Sequence, residues 1–132
     1  MTESSDVAVF SVGEVRLDRQ HGIVRVSFVP GTVQALDNAR EEFAAVVRVS
    51  RGERLPLLVD MANTKSITRE ARAFFASGEA AKAWSAVALL SRSSVTTMMA
   101  NIYFAVFGDQ GVPTKLFTEE AEAIAWLKGL RA

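Results

Sequence analysis

Few side chains in this sequence have the reactivity that catalysis needs. There is no cysteine, so thiolate nucleophiles, disulfides and thiolate metal sites are excluded. The single histidine, His21, stands in the polar segment Arg19-Gln20-His21-Gly22. A solvated turn residue is the simplest reading there, and one histidine cannot build a histidine metal site. No Ser-His-Asp order, paired-carboxylate motif, glycine-rich phosphate loop or metal-ligand spacing occurs. What remains is a set of hydroxyls, cations and one carboxylate where apolar runs give way to helix starts. Asp60, Ser66, Thr68 and Arg69 follow one run, and Ser91, Arg92, Ser93 and Ser94 follow another. In a parallel sheet such positions share one rim, and the free N–H groups of helix N-termini there suit anions. The set reads either as a binding site for a phosphate, carboxylate or peptide, or as ordinary helix caps beside surface arginines. A lone Asp60 lacks the partner group that nucleophilic or acid–base catalysis needs. The expectation is binding without catalysis, with no cofactor and no metal.

The elements that must position these residues are legible from periodicity. From Val12 to Asp18, Val15 and Leu17 face one way and Glu14, Arg16 and Asp18 the other; Val24, Val26 and Phe28 repeat the pattern. The short polar segment between the two runs makes them a hairpin. Val7 to Phe10 reads as an extension of the first strand past a kink at Gly13, or as part of a flexible N-terminal segment covering residues 1–11. After Pro30-Gly31, Thr32 reads as a helix cap, and Leu36, Ala39, Phe43, Val46 and Val47 recur at helical spacing, with Gly52 as the stop. Leu57-Leu58-Val59 is apolar throughout and Trp84 to Leu90 is apolar but for Ser85, as strands buried on both faces should be. Thr68 reads as the cap of a second helix that Gly78 ends, and Ser93 or Ser94 as the cap of a third, to about Phe107. Thr114 to Phe117 is a last short strand. Thr118 caps a fourth helix with Ala121, Ile124, Leu127 and Leu130 as its stripe. The order is β-β-α-β-α-β-α-β-α in a single domain spanning 1–132. It predicts a five-stranded mixed sheet, parallel except for the first strand.

Composition narrows the partners. Fifteen basic residues balance fifteen acidic ones, whereas a nucleic-acid binder is usually clearly basic. Near-zero net charge also leaves little repulsion between copies. Met1 to Asp6 carries Glu3 and Asp6 where a signal peptide carries positive charge. The longest apolar run, Ile102 to Phe107, is far short of the roughly 20 residues that span a bilayer. A cytoplasmic protein without a membrane span is expected. The third helix is apolar around most of its circumference, with Met98, Met99, Ile102, Tyr103, Phe104, Val106 and Phe107. Either a neighbouring helix covers it, or it forms a homodimer interface led by Tyr103, Phe104 or Phe107, or it lines an apolar cavity.

The element order resembles the SpoIIAA-like superfamily, which includes the STAS domains of anti-sigma-factor antagonists and the related CRAL-TRIO lipid-binding domains. The residues behind this are Leu57-Leu58-Val59-Asp60, Thr68-Arg69-Glu70-Ala71-Arg72, Ala86-Val87-Ala88-Leu89-Leu90, and Phe117 to Ala123 with Trp126-Leu127. The likeness runs from about Val12 to the end, and is nearest to small bacterial SpoIIAA-like proteins. It implies a SpoIIAA-like fold and a regulatory, protein-interaction role. The antagonists open their second helix with a phosphorylatable serine in an Asp-Ser-Ser-Gly-like motif. Here that stretch reads Lys65-Ser66-Ile67-Thr68-Arg69-Glu70, with hydroxyls at Ser66 and Thr68 but no such motif. The expected function is therefore a non-enzymatic regulatory or protein-interaction module, expected to be a homodimer, with a small apolar-ligand or lipid carrier as the alternative.

Overall fold

The computed structural model describes residues 6–91 and 112–131. Three strands open the chain as an antiparallel meander: β1 (Val7–Phe10), β2 (Gly13–Asp18) and β3 (Ile23–Phe28). The β2–β3 hairpin is the expected one, with Val15 opposite Val26 and Arg16 opposite Arg25. β1 corrects the sequence reading. Val7–Phe10 neither extends the next strand nor stays apart from the fold; it turns at Ser11-Val12 and pairs back on β2. Ala8 and Phe10 thereby bury against the same core as Val15 and Phe28, and the Phe10 and Phe28 rings meet edge to face at 6.3 Å. Gly13 permits this approach, because a Cβ there would lie 2.2 Å from the Ser27 carbonyl oxygen. Gly13→Ala should force the strands apart and cost about 2 kcal/mol, seen as a lower urea midpoint. An unchanged midpoint would show that the hairpin absorbs the methyl group without shifting.

Beyond β3 the chain makes crossovers. The elements are β4 (Thr32–Gln34), α1 (Leu36–Ser50), β5 (Leu55–Asp60), β6 (Thr64–Ile67), α2 (Arg69–Phe75), α3 (Gly78–Ala81), β7 (Trp84–Leu90), β8 (Thr114–Phe117) and α4 (Glu120–Arg131). The main sheet has six strands in the order β1-β2-β3-β5-β7-β8, and β4 pairs with β6 in a separate parallel ribbon. The extra strand over the expected five is β1. β2 alone runs against the others, as the order of elements required. β5 and β7 are central, and Leu58 and Val87 are buried as expected of strands covered on both faces.

Local chemistry sets the element ends. Thr32 is not a helix cap: it is buried in β4, its hydroxyl donating to the Val29 carbonyl at 2.5 Å. α1 starts later, where Asn38 Oδ1 accepts from the Ala35 N–H at 2.8 Å. It ends as Arg51 and Gly52 take left-handed φ values of 53° and 81°. Thr68 does cap α2, accepting from the Ala71 N–H at 3.2 Å. Ser77 caps α3, so Gly78 opens a helical turn and the preceding helix has already ended at Phe75. α4 begins at Glu120, two residues past Thr118, and buries Ala123 and Leu127; Ala121 and Leu130 are exposed. The expected third helix lies outside the described residues.

Two cores result. On one face Val15, Val24, Val26, Leu57, Val59, Val87 and Leu89 pack beneath α1, α2 and α3. On the other, Ile23, Leu58, Ala86, Ala88 and Leu90 pack with Phe117 against α4, which crosses β5, β7 and β8. Among the described residues α4 packs mainly on β5, β7 and β8, and a cleft lies beside it over β2 and β3. Among the described residues, no helix is long and apolar enough to cross a membrane.

Candidate functional site

The cleft is built by strand alternation. With Val15, Val24 and Val26 committed to the α1 core, Glu14, Arg16, Asp18, Arg25 and Ser27 must project on the opposite face. Leu58 and Leu90 form the floor beside them, Asp60 closes one end, and Glu120 reaches in from the first turn of α4. The cleft holds about 140 Å³, room for a side chain or a small ion.

Its charges are matched internally. Arg25 lies between two carboxylates, with Nε 3.0 Å from Asp18 Oδ2 and Nη1 3.1 Å from Glu120 Oε2. This contact ties β3 to α4. Arg16 donates to Glu14 at 3.1 Å and is more exposed. Asp18 also receives His21, whose Nδ1 stands 2.8 Å from Oδ2 and whose backbone N–H is 3.1 Å from Oδ1. His21 is thus a half-buried bracket on the hairpin turn, not a freely solvated residue. Burial by itself would raise the Asp18 carboxyl; the hydrogen bonds from His21 and Arg25 outweigh it and hold the group below its ordinary value of 3.8. A depressed native value means that this pairing stabilises the fold fully above 3.8 and is lost as pH falls through the native value. Asp18→Ala should cost about 2 kcal/mol near neutral pH, because it strands the groups of Arg25 and His21 that bond to it. The deficit should shrink in acid, which urea unfolding across the pH range would reveal; a pH-independent deficit would contradict the pairing.

The residues expected to share one rim are divided by the fold. Asp60 faces the cleft, and its Oδ1 accepts from the Ala62 N–H at 3.0 Å, closing its own turn. Ser66 is half-buried in the β4–β6 ribbon opposite Val33. Thr68 and Arg69 head α2, which packs against α1 on the other side of the sheet. The β6 strand intervenes between Asp60 and that helix start, which is why they do not converge. Arg92, Ser93 and Ser94, and the interface candidates Tyr103, Phe104 and Phe107, lie outside the described residues. A second cleft of about 420 Å³ lies near Glu53, Arg54, Leu55, Ser85 and Pro113. Its arginine is committed to structure, donating to the carbonyls of Trp84 and Ala81 at 3.0 and 3.4 Å.

One chemically notable residue escapes the sequence reading altogether. Glu42 of α1 is buried in the core, and its Oε1 accepts from Gln34 Nε2 of β4 at 2.6 Å. Burial, against that hydrogen bond, pushes its carboxyl up to about 7. A signal was present, since Glu42 follows Ala39 and precedes Val46 at helical spacing and so falls on the apolar stripe. Among the described residues no group of three or more His, Asp or Glu side chains is placed to hold a metal ion.

A family model described as "Domain of unknown function (DUF7793)" matches residues 17–131. The chain belongs to the DUF7793 family. The match takes in the end of β2, β3, the central strands and α4, and so every residue of the cleft except Glu14 and Arg16. This DUF7793 chain is also similar to the crystal structure of an uncharacterised DUF3478-family protein with a SpoIIAA-like fold from Shewanella loihica PV-4. The two agree with a TM-score of 0.62 at 11% identity, over 96% of this chain and 98% of the other. That likeness establishes a SpoIIAA-like fold, in agreement with the element order. No curated protein sequence matches the chain.

Proposed function

We propose that this DUF7793 domain is a non-enzymatic protein-interaction module of the regulatory kind, using the charged cleft beside α4. The observation that supports this most directly is the ion-pair arrangement around Arg25. Its guanidinium is held by Asp18 and Glu120, and Arg16 is held by Glu14, so the cleft offers matched charges of both signs on a rigid sheet face. Such a surface exchanges internal ion pairs for external ones when a complementary side chain enters, which favours selectivity over strength. Catalysis would need a nucleophile held against a base. Asp60 is occupied in its own turn, and His21 points its Nδ1 at Asp18 with no cysteine available anywhere in the chain.

Paired affinity capture tests this reading, using the native chain and an Arg16→Glu variant as baits, with native mass spectrometry of the purified protein alongside. A protein partner retained by the native chain and lost from the variant supports it. A small-molecule or lipid mass that stays with the purified chain would overturn it in favour of a carrier. So would a turnover that Asp60→Asn abolishes without unfolding.

A further inference from the structure

The β4–β6 ribbon holds the one ionisable side chain that is buried among the described residues. Glu42 of α1 is bonded by Gln34 of β4, and the Gln34 carbonyl in turn accepts from the Thr68 N–H at 2.9 Å, where β6 passes into α2. The ribbon is a sheet of its own, paired at three positions with a register shift between Thr32 and Val33. A two-stranded unit of that size has little stability by itself and depends on what its inner face packs against. That inner face is mostly polar: Thr32, Gln34 and Thr64 are buried beside Ile67, while Val33 and Lys65 face outward. The Thr64 hydroxyl is buried with no hydrogen-bond partner among the described residues. Little apolar packing therefore holds the ribbon down, and hydrogen bonds are left to do so.

An ionised carboxylate is costly in such a place unless a cation meets it. Among the described residues none does. β1 and β4 carry no charged residue, and Glu14, Arg16, Asp18 and Arg25 of β2 and β3 project from the other face of the sheet. Arg72 of α2 donates to the Ile67 carbonyl at 2.9 Å. Arg69, Glu70 and Lys65 are exposed, as are Asp37, Arg40, Glu41 and Arg48 of α1 itself. Burial pushes the Glu42 carboxyl up to about 7, against an ordinary value of 4.5 once water reaches it. Closure is thus favoured fully below 4.5, and that advantage is lost as pH rises to about 7. Of the ways to admit water, lifting the ribbon disturbs the least apolar packing. α2 is held by the ring contacts of Phe74 with Phe43 and of Phe75 with Trp84, and the sheet by its buried central strands.

We infer that the β4–β6 ribbon is a flap whose docking is controlled by the Glu42 proton. With the proton in place the ribbon lies closed on α1, and loss of the proton favours a locally open form while the six-stranded sheet stays folded. Opening brings the polar side chains of Thr32, Gln34 and Thr64 to water. The cleft beside α4 lies on the other face of the sheet and is lined by no residue of the flap.

Amide hydrogen exchange of the full chain, followed residue by residue by NMR, tests the inference. Each rate is divided by that of an unstructured peptide at the same pH, which removes the ordinary base catalysis of exchange. The Thr32 and Thr68 amides, bonded to the Asn63 and Gln34 carbonyls, report the ribbon. The Leu58 and Val59 amides of β5, a strand paired on both sides, report the main sheet. The ribbon amides should be the less protected, and low urea should hasten exchange at Leu58 and Val59 while leaving the ribbon unaltered. Ribbon protection should fall by about tenfold or more between about pH 5 and about pH 7. Glu42→Gln keeps the acceptor for Gln34 but has no proton to lose, and should remove that fall. Ribbon amides that exchange only together with Leu58 and Val59, with the same urea dependence, would overturn the inference. So would ribbon protection that is equal at the two pH values, or that still falls in Glu42→Gln.

Discussion

Glu42→Gln should make the protein more stable by about 3 kcal/mol at about pH 8, and leave it nearly unchanged at about pH 4. The sign follows from where the proton sits. A glutamate in the unfolded chain ionises near its ordinary value of 4.5, whereas in the fold burial pushes Glu42 up to about 7. Below 4.5 the group is neutral in both states and costs nothing. Between the two values the unfolded chain has lost a proton that the native chain retains, so stability falls as pH rises, and it levels off above about 7. The amide of a glutamine keeps the oxygen that accepts from Gln34 but has no proton to lose. The charged groups nearby do not compensate Glu42. Glu14, Arg16, Asp18 and Arg25 on β2 and β3 project from the other face of the sheet, Arg72 of α2 donates to the Ile67 carbonyl at 2.9 Å, and Arg69 and Glu70 are exposed. Urea unfolding of both proteins across this pH range measures the effect. A difference that does not vary with pH would show that Glu42 is solvated or paired in solution.

How much of this was legible in the sequence depends on which contacts each element needs. β2 and β3 show alternation because one face meets the α1 core and most of the other faces the polar cleft beside α4. Leu57–Val59 of β5 and Ala86–Leu90 of β7 are uniformly apolar because helices cover both faces, and that pattern identifies them without any neighbour. β1 defeats the alternation test. Its outward residues Val7 and Val9 are as apolar as its inward ones, so Val7–Phe10 carries no polar marker of an exposed face. The β4–β6 ribbon is invisible locally. Thr32–Gln34 and Thr64–Ile67 hold each other across some thirty residues of chain, with Thr32 N–H donating to the Asn63 carbonyl at 3.1 Å and Asn63 Nδ2 to the Phe28 carbonyl at 2.9 Å.

The site was legible in part for the same reason. Alternation alone places Glu14, Arg16 and Asp18 on one face, yet it cannot distinguish a bare solvated face from one wall of a cleft. The distinction comes from α4, which follows the last strand and carries Glu120 to Arg25 across almost the whole chain. Asp60 was visible as the polar end of a buried strand, and its bond to the Ala62 N–H is the ordinary use of such a residue. Its separation from Thr68 rests on β6, and therefore on the ribbon that no local pattern reveals.

Trp84→Ala should be the most damaging single substitution, costing about 4 kcal/mol. Trp84 opens β7 and is fully buried. Its ring meets Phe43 of α1 edge to face at 6.4 Å and Phe75 of α2 at 6.2 Å. Phe43 and Phe75 each contact Phe74 at 5.7 Å, so four aromatic rings from two helices and one strand form a continuous cluster. Truncation removes the strand's member and leaves a cavity that α1 and α2 cannot both close, since each is anchored elsewhere: α1 over β1 and β2, and α2 by its cap at Thr68. Trp84→Phe keeps a ring in the cluster and should cost only about half as much. The cleft beside α4 lies on the opposite face and rests on the separate core of Ile23, Leu58, Leu90 and Leu127. Denaturant unfolding gives the stability loss. Equal costs for the alanine and phenylalanine variants would mean that the ring contacts contribute nothing beyond the strand position, and that the aromatic cluster does not bind α1 and α2 to the sheet.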